Sequence, residues 1–330
     1  MANNIFDVLA IGNAIVDVLT RVDDDFLIEQ KIKKGAMTLI DARGATHLYG
    51  QMPPGVEISG GSAANTAAGV ASFGGKAAYI GKVRDDQLGE VFAHNLHTVG
   101  VSYETSPSTD GPSTARCLIM VTPDAQRSMN TFLGACQTLG PNDIDPDRVG
   151  RASIVYMEGY LYDPPAAKQA FEKAATIAKQ AGNKVSLTLS DAFCVERYRS
   201  EFQNLVEGYV DLLFANEAEI CSLYQTKIFD EALQFVRQKC ELAVLTRSEA
   251  GSVVVSGDEI YVVDAEPVER VLDTTGAGDL YAAGFLYGCA TGRDLLTCGR
   301  LGSLAAAEII SHFGARPETS LSKLAKQKGF

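Results

Sequence analysis

The chain has 330 residues, 46% of them hydrophobic, and a formal net charge of −12. That length and apolar content allow one large α/β domain or two small ones, with enough material for a sizeable core. An acidic surface argues against non-specific nucleic-acid binding, because nothing offsets phosphate repulsion, but it leaves room for a small phosphate ligand held at a local anion site.

Phe6 to Gly12 reads as a buried strand, and Ile15 to Leu19 continues it in extended form. Met37 to Ile40 is a short strand. Ala63 to Phe73 is a helix of small residues, ended by Gly74-Gly75. Ala77 to Val83 is strand-like and Gln87 to Thr98 helical. This alternation points to βαβ units and a parallel sheet. Ser113 to Val121 and Gln126 to Phe132 break the rhythm as two strands joined by Thr122-Pro123-Asp124, a turn signal. A small β-rich lid can be assembled from this hairpin and the segment around 14–40. The βα rhythm resumes with strands at Ser153 to Tyr160, Lys184 to Leu189, Val210 to Ala215 and Leu242 to Thr246. Helices are expected at Pro164 to Gln180 and Glu196 to Val206, and a hairpin turns across Ser256-Gly257-Asp258. Alanine- and glycine-rich helices follow at about Gly276 to Ala290 and Thr297 to His312.

The seven cysteines are odd in number and scattered, with no Cys-x-x-Cys. They read as free thiols in a reducing compartment. Asp7 and Asp17 interrupt the first apolar stretch, which does not fit a signal peptide, and no stretch is apolar for the length of a membrane span. The expectation is a soluble, cytoplasmic protein without a membrane or nucleic-acid partner.

The sharpest chemical feature is Asp273-Thr274-Thr275-Gly276-Ala277-Gly278-Asp279, followed by an apolar helix. The glycines let bare N–H groups approach a ligand, and the helix start aims its positive end at the same point. That point suits a phosphoryl group, with Asp279 beside it to take the proton of an attacking hydroxyl. An ordinary glycine-rich helix start carries about equal weight for the glycines alone. Gly60-Gly61-Ser62-Ala63-Ala64-Asn65 opens the small-residue helix, and Asn65 can offer a donor and an acceptor to vicinal hydroxyls, although by itself the stretch fits better a glycine turn feeding a tightly packed helix. Asn216-Glu217-Ala218-Glu219 follows a strand. Its polar groups suit magnesium held through water, or equally a helix N-cap. Asn13 and Asp17 leave the first strand, and a carboxylate in an apolar stretch needs a partner.

Taken together, these positions resemble the PfkB (ribokinase-like) carbohydrate and nucleoside kinase family over nearly the whole chain. The glycine pair with Asn65 is similar to the family's first signature, and Asp273 to Asp279 to its second. The resemblance implies one α/β domain over 1–330, a mostly parallel Rossmann-type sheet flanked by helices, with a discontinuous lid of approximately 14–40 and 106–136. It implies Asp279 as base, with Gly276, Ala277 and Gly278 forming the anion hole. It places Asn13, Asp17, Gly60, Gly61, Ser62 and Asn65 on the acceptor's hydroxyls. ATP and Mg2+ are implied, with Asn216, Thr246, Ser248, Gly251 and Thr274 joining the anion-hole glycines on the nucleotide side. Asn216 and Glu219 would meet magnesium through water, and Asp273 with Thr275 a monovalent cation such as K+.

Within the family, Gly12-Asn13-Ala14-Ile15-Val16-Asp17 and Leu189-Ser190-Asp191-Ala192-Phe193 are similar to the subgroup that phosphorylates the 5′-hydroxyl of adenosine. Arg127-Ser128 matches it too, which implies Arg127 as a lid residue stabilising phosphate. Ala14 replaces a proline of that pattern, Met37 stands in place of a glutamine near the base, and Tyr160-Leu161 in place of two aromatics. Met37, Leu39, Leu133 and Phe193 are candidates for an apolar base pocket, and equally for core. The competing readings are a kinase of a free sugar such as ribose or fructose, and a non-catalytic nucleoside sensor on the same fold. A homodimer is compatible with exposed lid edges.

Overall fold

A computed structural model describes residues 4–124 and 126–330. Its strands, in chain order, are β1 (Phe6–Ile11), β2 (Ile15–Arg21), β3 (Met37–Leu39), β4 (Val56–Gly60), β5 (Ala77–Ile80), β6 (Val101–Tyr103), β7 (Ala115–Val121), β8 (Arg127–Phe132), β9 (Ala152–Glu158), β10 (Lys184–Thr188), β11 (Leu212–Asn216), β12 (Leu242–Thr246), β13 (Ser252–Ser256) and β14 (Glu259–Val263). Nine of them form one sheet in the order β14-β13-β12-β11-β10-β9-β1-β5-β6. From β12 to β6 every pairing is parallel, and the β12-β13-β14 edge is antiparallel.

The central strands are apolar on both faces because both are covered. In β1, Val8 and Ala10 enter a core shared with the helices Ser62–Ser72, Ala277–Ala290 and Leu295–Ile310. Leu9 and Ile11 enter a second core with the helices Pro165–Gln180 and Ala192–Gly208. Small residues let the first layer pack closely. An added Cβ on Gly69 would lie 2.5 Å from the Ala283 Cβ, so the helices Ser62–Ser72 and Ala277–Ala290 nearly touch there. Parallel pairing puts the carboxyl ends of β1, β9, β10, β11 and β12 on one edge of the sheet, where ligands of such folds bind.

The remaining five strands form a second sheet, β3-β8-β7-β2-β4. The expectation that Ile15 to Leu19 extends the first strand is therefore corrected. After Ile11 the chain passes through Gly12–Ala14 and pairs with β4 and β7 instead of β5 and β9. Strand β4 and the helices Asp24–Glu29 and Ala42–Gln51 are further elements absent from the sequence reading.

Register fixes what each face of the second sheet carries. One row runs Ile58–Asp17–Cys117–Thr131–Leu39, and the next on the same face runs Val56–Leu19–Ile119–Met129–Met37. Arg127 lies on this face as well, opposite Val121. The alternate residues Val16, Val18, Leu118 and Met120 are buried in the core with Leu27 and Leu48. Among the described residues no helix is long and apolar enough to cross a membrane.

Candidate active site

The Asp273–Asp279 turn is built as its glycines require. Gly276 is left-handed, with φ +80°, and an added Cβ would lie 2.9 Å from the Ala315 Cβ. A side chain there is excluded by conformation and by space. The helix Ala277–Ala290 starts at once, so its first N–H groups lack partners within the helix. The Ala277 N–H turns inward and donates to the Thr274 carbonyl at 3.2 Å. An added Cβ on Gly278 meets open space, so the turn has room beside it.

Asp279 sits in the first helical turn. Its Oδ1 accepts from the Ser62 hydroxyl at 2.6 Å and its Oδ2 from the Asn65 amide at 2.9 Å. The Thr66 hydroxyl donates to its backbone carbonyl at 3.1 Å. Burial pushes the carboxyl up, while the bonds from Ser62 and Asn65 and the charge of Arg316 pull it back toward the ionised form. Asn65 Oδ1 is buried with no partner among the described residues, an acceptor open for a donor.

Gly60 and Gly61 make room for other parts of the chain. An added Cβ on Gly60 would lie 2.4 Å from the Asp17 carboxylate, and one on Gly61 would lie 2.2 Å from the Asn13 carbonyl oxygen. Gly61 also has φ +92°. The Asp17 carboxylate thus rests on a bare backbone. Burial raises it to about 6, against the charges of Arg316 and Arg127 and with that of Asp279.

Arg127 is not a solvated strand residue. Its Nη1 donates to the Asp273 carboxylate and, at 2.9 Å, to the Thr275 hydroxyl, and its guanidinium stands 6.0 Å from the Phe313 ring centroid. Its Nε and Nη2 are buried and have no partner among the described residues. Asp273 in turn accepts from the Thr275 N–H at 3.0 Å, the Thr275 hydroxyl at 2.7 Å and the Gly314 N–H at 3.0 Å. The second sheet is therefore tied directly to the Asp273–Asp279 turn.

At the carboxyl end of β11, Asn216 and Glu219 form a reciprocal cap on the helix Glu217–Leu223. Asn216 Oδ1 accepts from the Glu219 N–H at 2.9 Å, and Glu219 Oε2 accepts from the Asn216 N–H at 3.0 Å. Burial raises Glu219 to about 7. Thr246 lies beside Asn216 in register. Ser248 and Gly251 bracket a tight turn with φ +52° and +77°. Thr274 is exposed at the mouth of the glycine turn. Phe193 is 61% exposed at the start of its helix, under the Arg197 guanidinium, so it is not core. Met37 and Leu39, 54% and 53% exposed, are not core either.

Two residues at the site carry no expectation from the sequence. Glu158, 1% exposed at the end of β9, accepts from Asn13 Nδ2 at 2.9 Å and from the Ala63 N–H at 2.8 Å. Its Oε2 would lie 2.2 Å from a Cβ on Gly12, so Gly12 makes space for it. Asn13 therefore gives its amide N–H to Glu158. The second is Arg316, whose guanidinium donates to backbone carbonyls of Ser59 and Ala64. Glu158 had a signal of the same kind as Asp17, an acid closing an apolar strand. Arg316 had none.

Residues 36–321 match the family model described as pfkB family carbohydrate kinase. The chain is 55% identical to the adenosine kinase of Sinorhizobium meliloti, whose structure superposes with a TM-score of 0.91 over 98% of this chain and 99% of that one. It is 54% identical to a probable sugar kinase from Rhizobium etli CFN 42, with a TM-score of 0.92 over 99% of both chains. It is also 27% identical to the adenosine kinase of Saccharomyces cerevisiae, over 93% of this chain and 95% of the yeast protein.

Proposed function

The chain belongs to the pfkB family of carbohydrate kinases, phosphotransferases acting on hydroxyl groups of sugars or adenosine, and on that premise we propose that it transfers the γ-phosphoryl group of ATP to the 5′-hydroxyl of adenosine. The observation that carries adenosine over a free sugar is the row Val56–Leu19–Ile119–Met129–Met37 beside Asp17 on one sheet face. An apolar strip next to a hydroxyl-binding acid matches a ligand with a flat base on one side and a ribose on the other. A free sugar presents hydroxyls all round and leaves such a strip wet. The identities of 55% to an adenosine kinase and 54% to a probable sugar kinase do not by themselves separate the two, so the sheet face carries the choice.

Asp279 accepts the proton of the 5′-hydroxyl, whose oxygen forms the new bond to the γ-phosphorus as the bond to the ADP oxygen breaks. Ser62 and Asn65 fix the carboxylate while it waits. The free Asn65 Oδ1 and the Asp17 carboxylate accept from the ribose hydroxyls. The helix start at Gly276 offers N–H groups to the developing charge, and the unpartnered Nε and Nη2 of Arg127 face the same need. Mg2+ bound with ATP supplies charge neutralisation for the phosphates. Glu219 is the carboxylate that would face it, through water, because both its oxygens accept from Asn216. Asp273 and Thr275 also meet the Arg127 guanidinium, so a monovalent cation held there would share these oxygens with it.

The test is a panel. Purified protein is given ATP and Mg2+ with adenosine, inosine, guanosine, ribose or fructose, and AMP, sugar phosphate and ADP are quantified. Adenosine should give the highest kcat/KM. Ribose or fructose turned over faster, with adenosine inert, would move the enzyme to the sugar kinases.

A further inference from the structure

Among the groups the proposed chemistry does not use, one side chain joins three parts of the acceptor site. Arg316 lies in the loop that follows the helix Leu295–Ile310. Its Nε and Nη2 donate to the Ser59 carbonyl at 3.1 and 2.9 Å, Nη2 also to the Ser59 hydroxyl at 3.1 Å, and Nη1 to the Ala64 carbonyl. These acceptors flank the stretch Gly60–Ala63. That stretch holds the bare backbone under Asp17 and the Ser62 hydroxyl that grips Asp279.

The loop is itself held at both ends. Gly314 N–H donates to Asp273 at 3.0 Å, and Glu308 Oε1 accepts from the N–H groups of Glu318 and Thr319 at 3.0 and 2.7 Å. A planar fork satisfied by neutral carbonyls fixes geometry but leaves its own charge uncompensated by contact. That charge is met at longer range by two acids, Asp17 and Asp279.

We propose that Arg316 is a positioning residue for phosphoryl transfer: it locks the Ser59–Ala64 corner, which carries Ser62 and the bare backbone under Asp17, against the loop after Leu295–Ile310, and brings a buried positive charge to that corner. The inference rests on Asp279 being the base. The other titratable groups around the pair do not substitute for it. Asp17 from β2 and Asp279 from the helix Ala277–Ala290 oppose one another as like charges. Glu158 and Tyr156 from β9, Tyr160 just after it and Tyr79 from β5 are acids or phenols. Arg127 from β8 acts on Asp17. Arg316 is the cation that favours the ionised form of both carboxyls, at the cost of its own guanidinium, which burial lowers to about 10.

The experiment compares Arg316→Gln and Arg316→Lys with wild type, by the pH profile of kcat/KM and by 13C-carboxyl NMR of Asp279, assigned through Asp279→Asn. In folded R316Q the acid limb and the Asp279 titration should both move to higher pH by about half a unit or more, roughly threefold in proton affinity. R316K keeps the charge and loses the fork, so Tm should fall while the limb stays at the wild-type position. A limb that stays put in folded R316Q, or moves in R316K as far as charge removal would move it, overturns the proposal. If R316Q does not fold, the R316K limb decides alone. The NMR titration needs no acceptor, so a wild-type enzyme inactive on adenosine would refute the substrate assignment while Arg316 is still tested.

Discussion

The substitution Glu158→Gln should make the protein more stable at alkaline pH and leave it nearly unchanged at acid pH. Burial lifts this carboxyl from its ordinary 4.5 to about 7, in spite of the bonds it accepts from Ala63 and Asn13. A carboxyl raised in the folded state binds a proton that the unfolded chain has already released. Its contribution to stability is therefore largest below about pH 4.5, falls as pH rises toward 7, and is flat beyond. At ~1.4 kcal/mol per pH unit the fall amounts to about 3 kcal/mol. The side-chain amide of E158Q has no charge to bury. The Asn13 amide can turn over so that its oxygen accepts from the new Nε2, while the Ala63 N–H keeps its oxygen partner. With an unfolding entropy of ~2.1 cal/mol/K per residue over 330 residues, 3 kcal/mol corresponds to about 4 °C in Tm. Scanning calorimetry of both proteins at pH 5 and pH 8 is the assay. The gap in Tm should open by about that amount between the two. A gap that does not change with pH would refute the reasoning about the buried charge.

Other substitutions separate the roles of neighbouring groups. Arg127→Ala should lower kcat much more than it raises KM for adenosine, because its free N–H groups meet charge that develops in the transition state; equal effects on both would make it a binding residue. Removing it also leaves the buried Asp273 carboxylate without its cation, so a lower Tm should accompany the loss of rate. Asn65→Ala and Asp17→Ala should weaken adenosine binding by roughly 1.5–3 kcal/mol each, with ATP binding largely intact in calorimetric titrations. Parallel losses for both ligands would instead show that the acceptor corner has collapsed.

The parts of this site that were legible in the sequence are those with local causes. Gly60, Gly61 and Gly276 stand where a Cβ would strike Asp17, Asn13 and Ala315, and glycine at such turns announces itself without knowledge of the fold. Asp279 stood out because it follows such a turn into an apolar helix. The parallel sheet was legible from buried strands alternating with helices. What was not legible depends on long-range pairing. Ile15–Arg21 follows Phe6–Ile11 after a short gap, and its pattern cannot say that it leaves one sheet for another. Val56–Gly60 is half exposed at the edge of the second sheet, so it lacks the continuous apolar run of a buried strand. Arg316 sits in a loop more than 250 positions from its acceptors, Ser59 and Ala64. Glu158 differs, because an acid closing the apolar strand Ala152–Glu158 raises the same question as Asp17, and its partners, Asn13 and Ala63, emerge from the fold.

The most direct test of the account is turnover of adenosine by Asp279→Asn in the presence of saturating ATP and Mg2+. The isosteric amide can keep both of its contacts, its oxygen accepting from Asn65 Nδ2 and its NH2 donating to the Ser62 hydroxyl oxygen. Asn65 Oδ1 then stays free, so the fold and the adenosine Kd should remain close to wild type. Only the capacity to take the hydroxyl proton is lost. The account predicts that AMP formation drops by about 10²–10⁴-fold in a protein that still binds adenosine. Near-wild-type AMP formation by this variant would contradict it.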